Sequence, residues 1–353
     1  MRFAPTDDQL ALRDAVRDLL AKECPPEVVR AAWPDGPDAL GARKGEGARA
    51  PEERVERVWS TLAEMGVLGV AVPEAQGGLG MAEVDWVLVA EETGYAALPH
   101  PFVETAAVAA PLLAAAGDPE GLVPSLVDGS RRVAVLPLGT RLVPWGDVVT
   151  LLVGLDVAAD GTWTARRIAS AVAQGEARTP TDVVDAGRRT VLLEAWRAGD
   201  VIGTAADAAL AFDRGALGIA AQLVGLARRM VDLAVGYVGE RKQFGVPVGS
   251  FQAVKHHLAD AALRLEFAAP AVHAAAWSLA TGAPTASRDV SMAKALASDA
   301  GRLAGRTALQ VHGAIGYTTE YDLHLYLKRA EVLARTWGDA AWHRRRIATA
   351  LDL

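Results

Sequence analysis

Hydrophobic positions along this chain keep a helical period at both ends and lose it in the middle. In "TDDQLALRDAVRDLLAKE" (6–23), Leu10, Val16, Leu19 and Leu20 fall on one face, Thr6 is placed to cap, and acids fill the first turn. That spacing predicts a helix. Residues 34–52, "PDGPDALGARKGEGARAPE", carry Pro, Gly and charge without apolar periodicity and read as an exposed loop. Helical spacing resumes in "ERVWSTLAEMG", stops at Gly66 and runs into the Gly-rich turn "EAQGGLGM"; further helices are predicted over about Ala82–Tyr95 and Phe102–Ala116. The middle differs. "RRVAVLPLG", "DVVTLLVGLDV", "WTARRIA" and "RTVLLEAW" are short Val/Ile/Leu runs separated by Gly, Asp and Pro, predicting a small β-domain from about Arg131 to Ala198. From Ala205 onward, long Ala/Leu-rich helices return, broken at Gly245–Gly249, Thr281–Pro284 and Gly313–Gly316, as four helices of a bundle would be. The expected fold is α+β and mainly α: a helical domain over 1–128, a small β-domain over 129–203 and a four-helix bundle over 204–353.

Composition narrows the setting. The chain is 51% hydrophobic but only 6% aromatic, which suits close-packed helices with Ala, Leu and Val inside. A net charge of −7 argues against a nucleic-acid or anionic-membrane surface. The longest apolar run, "ALPHPFVETAAVAAPLLAAAG" from Ala97, is interrupted by Pro99, His100, Pro101, Glu104 and Pro111, so no membrane span is expected. "MRFAPTDDQLALRDAV" lacks an apolar signal core, and the single cysteine, Cys24, excludes an internal disulfide or a Cys-based zinc site. A reducing cytoplasm is the predicted location.

One stretch needs explaining. In "ERKQFGVPVGSFQAVKHHLAD" (240–260), Arg241, Lys242, Gln243, Gln252 and Lys255 gather around a Gly-Val-Pro-Val-Gly break between two helices. Such polar groups usually form a solvated face. His256 and His257 are adjacent on a helix and point about 100° apart, so they cannot jointly clamp a metal and read as surface or interface residues. His312 reads as structural.

The helical–β–helical order, with "MGVLGVAVPEAQGGLGM" (65–81), the 240–260 stretch, "ALQVHGAIGYTTEYDLHLYLKRA" (308–330) and the weaker strand "RRTVLLEAW" (188–196), resembles the acyl-CoA dehydrogenase family. The resemblance spans nearly the whole chain and is strong at the ends of the N-terminal domain and throughout the C-terminal bundle. It implies FAD between β-domain and bundle, an acyl-CoA thioester along the isoalloxazine ring, and a carboxylate that takes the α-proton while the β-hydrogen leaves as hydride. It also implies that the adenine and diphosphate half of FAD is held by a neighbouring subunit. On this chain that role falls to Arg241 at the diphosphate, Gln243 and Gln252 as hydrogen-bonding groups, Phe244 packed on the cofactor, Gln310, and close backbone approach at Gly313. An arginine suits a diphosphate because its planar fork donates two charge-assisted bonds. Ala314 stands where the family usually has a second glycine.

Two departures cut the other way. The family's acid-Gly-Ser-Asp loop and tryptophan hairpin, which touch the flavin ring and thioester, are missing between "RRVAVLPLG" and the strand expected at Val148–Val153; the β-domain is shorter by on the order of 30 residues. The base is missing as well. In "LARTWGDAAWHRRR", Trp337 stands where many members carry a glutamate, with Gly338 retained and Asp339 next. At the alternative position, "AFDRGALGIAAQLVG" offers Gly215, Ala216 and Gln222 but no glutamate. Asp213 is the one nearby carboxylate, and an acid near a helix start has a structural explanation of its own. What would be given to a partner's flavin is kept, and what this chain would need for its own is lost. The resemblance therefore points to the non-catalytic subunit of a heteromeric acyl-CoA dehydrogenase, like the paired-subunit actinobacterial enzymes acting on bulky substrates such as steroid side chains. A homologous catalytic partner is expected, in an oligomer built as a dimer of dimers. Two other readings stay open: a homo-oligomeric enzyme with an altered base or reaction, and a flavin-free binding or scaffold homologue.

Overall fold

The computed structural model describes residues 4–33, 49–169, 179–180, 183–193 and 197–353. Most of the predicted 34–52 loop lies outside these, and its last residues instead open a helix. The N-terminal region comprises α1 (Asp7–Glu23), α2 (Pro26–Ala31), α3 (Arg49–Glu64) and α4 (Glu83–Tyr95). Thr6 caps α1 in a reciprocal box with Gln9, and Val16 and Leu20 are its buried residues, with Leu10 and Leu19 half-buried. Chain reversal after α3 falls at Gly66, in left-handed conformation (φ 75°). Buried α4 presents acids to its neighbours: Glu92 takes Arg17 of α1 at 2.7 Å, while Glu91 takes Arg228 at 2.9 Å and His273 at 2.6 Å and Glu83 takes Arg214 at 2.6 Å, all three from the C-terminal region.

The helix expected over Phe102–Ala116 is a π-helix over Val103–Ala109 that tightens into α5 (Ala110–Ala115), followed by α6 (Val123–Val127). Pro111 contributes no N–H, so the turn before it lacks one α-type bond. The strands are β1 (Val133–Pro137), β2 (Leu142–Val143), β3 (Leu151–Val157), β4 (Trp163–Ala169), β5 (Thr179–Pro180), β6 (Val191–Leu192) and β7 (Arg197–Val201). They form a four-stranded sheet ordered β1-β3-β4-β7 and a three-stranded sheet ordered β2-β6-β5. β1 and β3 pair in parallel, Val135 opposite Val153. Expected at Val148–Val153, this strand starts later. The backbone N–H groups of Val148 and Val149 both donate to Trp145, forming the turn that returns the chain beside β1.

The C-terminal region is built on α7 (Ala205–Glu240), capped by Thr204. After the two-stranded hairpin β8 (Lys242–Gln243) and β9 (Val246–Pro247) come α8 (Gln252–Ala280) and α9 (Ala286–His312). The expected fourth helix is two, α10 (Leu323–Leu333) and α11 (Ala340–Ala350), parted at Trp337 (φ 58°) and Gly338 (φ 82°). Two successive left-handed residues cannot continue a right-handed helix. By length and hydropathy α7 could cross a membrane, but 83% of its most apolar window is buried by protein.

Arg329 of α10 ties the regions together. Its Nε donates to Asp185 in the segment before β6, and its guanidinium donates to the Leu98 carbonyl at 3.0 Å, with both charged side chains buried. Breaking one side of a buried pair leaves a charge without a partner. Arg329→Met should therefore cost about 3 kcal/mol or more in denaturant unfolding, and Arg329→Met combined with Asp185→Asn should cost less than the single change.

Candidate functional site

Two places carry the predicted residues. The first is the end of the bundle where α7 and α9 finish. Tyr237 in the last turn of α7 stacks on His312, the last residue of α9 (4.5 Å between rings, 21° between planes), and His312 meets Tyr321 at 4.7 Å. His312 is buried with Nδ1 on the Ala308 carbonyl at 2.7 Å, and burial lowers its pKa, so it serves as a structural joint. Around that joint Arg241, Gln243, Phe244, Gln252, Gln310 and Gly313 are all exposed.

Local geometry explains why. Arg241 caps the C-terminus of α7 in extended conformation, with its N–H on the Tyr237 carbonyl and its own carbonyl accepting from Val248 at 2.7 Å. β8 and β9 are joined by Phe244 (φ 53°) and Gly245 (φ 81°), both positive as a type I′ turn requires. Phenylalanine is a costly choice at such a position. It is 92% exposed, touching Phe251 edge-on at 6.2 Å. Gln243 spends one amide hydrogen on the Lys242 carbonyl at 2.8 Å. Gln252 begins α8, and Gln310 lies in the last turn of α9. Gly313 follows at φ 63° and ψ −138°, a conformation that any side chain would make costly. His256 and His257 are exposed. Among the described residues no cluster of His, Cys, Asp or Glu could hold a metal ion.

The second place is the α10–α11 junction, roughly 40 Å along α7 from Arg241 by helical rise. Trp337 is buried, and its ring lies on Gly215: a Cβ at that glycine would sit 2.1 Å from the indole. Phe212 and Trp342 complete the aromatic cluster. Asp213 is close by and buried, but Arg346 of α11 holds one oxygen at 2.6 Å and Ser287 of α9 donates to the other. Both oxygens are thus engaged in joining three helices. Asp339 caps α11 through the Trp342 N–H at 2.7 Å.

The junction is pinned from beneath by Lys294. Wholly buried, its ammonium donates to Ser298 Oγ at 3.1 Å, the Gly338 carbonyl at 3.1 Å and the Ala334 carbonyl at 3.4 Å. Burial lowers its pKa to about 7, with Asp339 opposing the shift. His343, buried with Nε2 on the Trp337 carbonyl at 2.9 Å, is pushed down to about 3, first by burial and then by the Lys294 charge.

Above the junction lies a cavity of about 740 Å³, bounded by β1, β2, residues 183–190 and the ends of α10 and α11. Glu104 of the π-helix and Arg188 face each other in its wall at 3.5 Å, both buried. Burial raises the Glu104 pKa, an effect that Arg188 opposes. Sequence reasoning missed this pair. Glu104 is visible there as the lone charge of "FVETAAVAA", a signal that an apolar surrounding contains one acid, but Arg188 is brought to it only by the fold.

Comparison with known proteins follows this geometry. Residues 6–121 match the model of the acyl-CoA dehydrogenase N-terminal domain, and residues 204–351 that of the acyl-CoA dehydrogenase C-terminal domain. The chain belongs to the acyl-CoA dehydrogenase family. It is therefore related to a family of flavin-dependent oxidoreductases. It is 33% identical to acyl-CoA dehydrogenase IpdE2 of Mycobacterium tuberculosis over 93% of this chain and 92% of that protein. Identity to IpdE2 of Mycolicibacterium smegmatis is 32%, over 97% and 98% respectively. A chain of the ChsE4-ChsE5 complex from Mycobacterium tuberculosis superposes with a TM-score of 0.82 at 25% identity, covering 100% of this chain and 99% of that one.

Two outcomes follow from the junction. Trp337→Ala should cost about 3–5 kcal/mol in unfolding experiments, as expected for deleting a buried aromatic ring. Because the folded pKa of Lys294 lies below its unfolded value, its burial penalty is full below pH 7 and shrinks as pH rises from 7 towards about 10.4. Denaturation across that window should show stability gained with pH, and Lys294→Met should remove this contribution.

Proposed function

We propose that the chain is the non-catalytic subunit of a heteromeric FAD-dependent acyl-CoA dehydrogenase, lending contacts to a cofactor whose reactive ring sits in a homologous partner. The observation that carries this is the contrast between the two places. Arg241, Gln243, Phe244, Gln252, Gln310 and Gly313 stand exposed around one end of the bundle, with the hairpin holding a phenylalanine outward in a strained turn. These groups fit the tail of FAD: a cationic fork for the diphosphate, amides for its polar edges, and bare backbone for close approach. Bound FAD would supply a hydride acceptor for α,β-dehydrogenation of an acyl-CoA thioester.

At the other place the residues do not fit a flavin ring with a base beside it. Trp337 fills the position that the family resemblance gives to the base, Asp213 is held by Arg346 and Ser287, and Glu104 faces Arg188. No proton transfer is assigned to this chain. The same occupancy of Asp213 weighs against a homo-oligomer that would use it as base. The two-protein ChsE4-ChsE5 complex supports a paired assembly, and the Tcur3481-Tcur3483 steroid ACAD variant shares the fold (TM-score 0.79, 24% identity). A bulky substrate such as a steroid side chain is the acyl group this reading favours, in a dimer of dimers in the cytoplasm.

Purified alone, the chain should be colourless; co-expressed with its catalytic homologue it should yield about one FAD per pair. A yellow homo-oligomer with one FAD per chain would overturn the proposal, and no FAD in either preparation would favour a scaffold. In the complex, Arg241→Ala should weaken FAD retention by about tenfold or more, with the helical circular dichroism unchanged.

A further inference from the structure

We propose that the Tyr237–His312–Tyr321 ring joint is a spacer that holds the two halves of the FAD-tail site at a set separation, which makes Tyr237 and His312 positioning residues for cofactor capture. The inference rests on the cofactor reading above and supplies what the exposed groups lack by themselves. Those groups hang on two different helices. Arg241, Gln243 and Phe244 follow the end of α7, whereas Gln310 and Gly313 belong to the end of α9. A tail gripped from both sides needs these ends in register to a fraction of an ångström, and such precision comes from packed neighbours rather than from the gripping side chains.

The joint lies where the two ends meet. Tyr237 stacks on His312 at 4.5 Å, His312 meets Tyr321 at 4.7 Å, and Tyr321 stands edge-on to Tyr237 at 6.0 Å, so the three rings close on one another at separations that aromatic pairs favour. On the α7 side the link to the site is one turn long: the Tyr237 carbonyl accepts the Arg241 N–H at 2.9 Å. On the α9 side it is shorter, because Gly313 follows His312 directly and donates its own N–H to the Gln310 carbonyl. The imidazole has little room to drift. Burial keeps it neutral at pH 7, its Nδ1 donates to the Ala308 carbonyl at 2.7 Å, and a Cβ at Gly316 would lie 3.0 Å from the His312 Cβ. Its Nε2 is buried without a partner, so the ring acts through what it packs against and does not touch the cofactor. Tyr321 is braced in turn from the N-terminal region, where Arg30 of α2 donates to the Thr319 carbonyl at 2.7 Å and to Asp322 at 2.5 Å.

The test uses the complex co-expressed with its catalytic homologue and reads FAD binding from cofactor fluorescence on dilution, with no turnover required. Tyr237→Leu and His312→Leu should each raise the FAD dissociation constant about tenfold, with complex formation and helical circular dichroism unchanged. Both remove one side of the same contact, so the double variant should lose little more than either single one. His312→Phe keeps a ring without the nitrogens and should hold FAD within about twofold of wild type. Tyr237 is only half-buried, so its variants carry the test if His312→Leu fails to fold. Losses that multiply in the double variant, or a phenylalanine variant as weak as the leucine one, would overturn the inference. FAD lost with Arg241→Ala yet held normally by both leucine variants would overturn the role of the joint alone. A wild-type complex without FAD would overturn the cofactor reading and the joint together.

Discussion

Close packing around α7 is the constraint on which the remaining structure rests. The helix has 36 residues, and its buried positions are dominated by alanine, glycine and medium aliphatics. Small side chains let neighbouring backbones approach, so displacement of α7 would be felt by everything stacked upon it. Near its start it offers Gly215 to the indole of Trp337 and Asp213 to Arg346; in its middle, Arg228 answers an acid of α4; at its end, Tyr237 stacks on His312. One rigid rod thus sets the positions of both functional regions.

Buried charge performs a different task. Glu91, Glu92, Asp185, Asp213 and Lys294 lie in regions that packing alone would make apolar, and each has partners on a different element. Such groups add little net stability over well-packed hydrocarbon, but misplaced alternatives would strand an ion. They fix how the helical regions and the sheets meet. The arrangement around Lys294 is the most local case: one ammonium satisfies carbonyls on both sides of the break between α10 and α11, allowing a helix to end and another to begin in a dry interior.

Much of this could be read from residue order. Thr6 before an amphipathic run, Gly66 after one, and the alternation of long helices with Gly-rich breaks are local signals, and local geometry follows them. The exposure of Arg241 and its neighbours was likewise legible, because a Gly-Val-Pro-Val-Gly break between helices leaves polar side chains outside. The π-helical turn before Pro111, the parallel pairing of β1 with β3 and the split of the last helix were not. Register between strands separated by a crossover depends on contacts the intervening residues do not encode. The meeting of Glu104 with Arg188 and of Lys294 with Gly338 is of the same kind: each residue looks ordinary in its own segment, and only the tertiary path makes it a neighbour.

The contact of Trp337 with Gly215 also couples what either position can hold. A carboxylate placed at position 337 would be far smaller than indole and would leave a hole over Gly215. Filling that hole requires a larger residue at 215, yet such a residue introduced first collides with the tryptophan. Each change alone is costly. With the ring seated against bare backbone, a single substitution to an acid at this position works against packing.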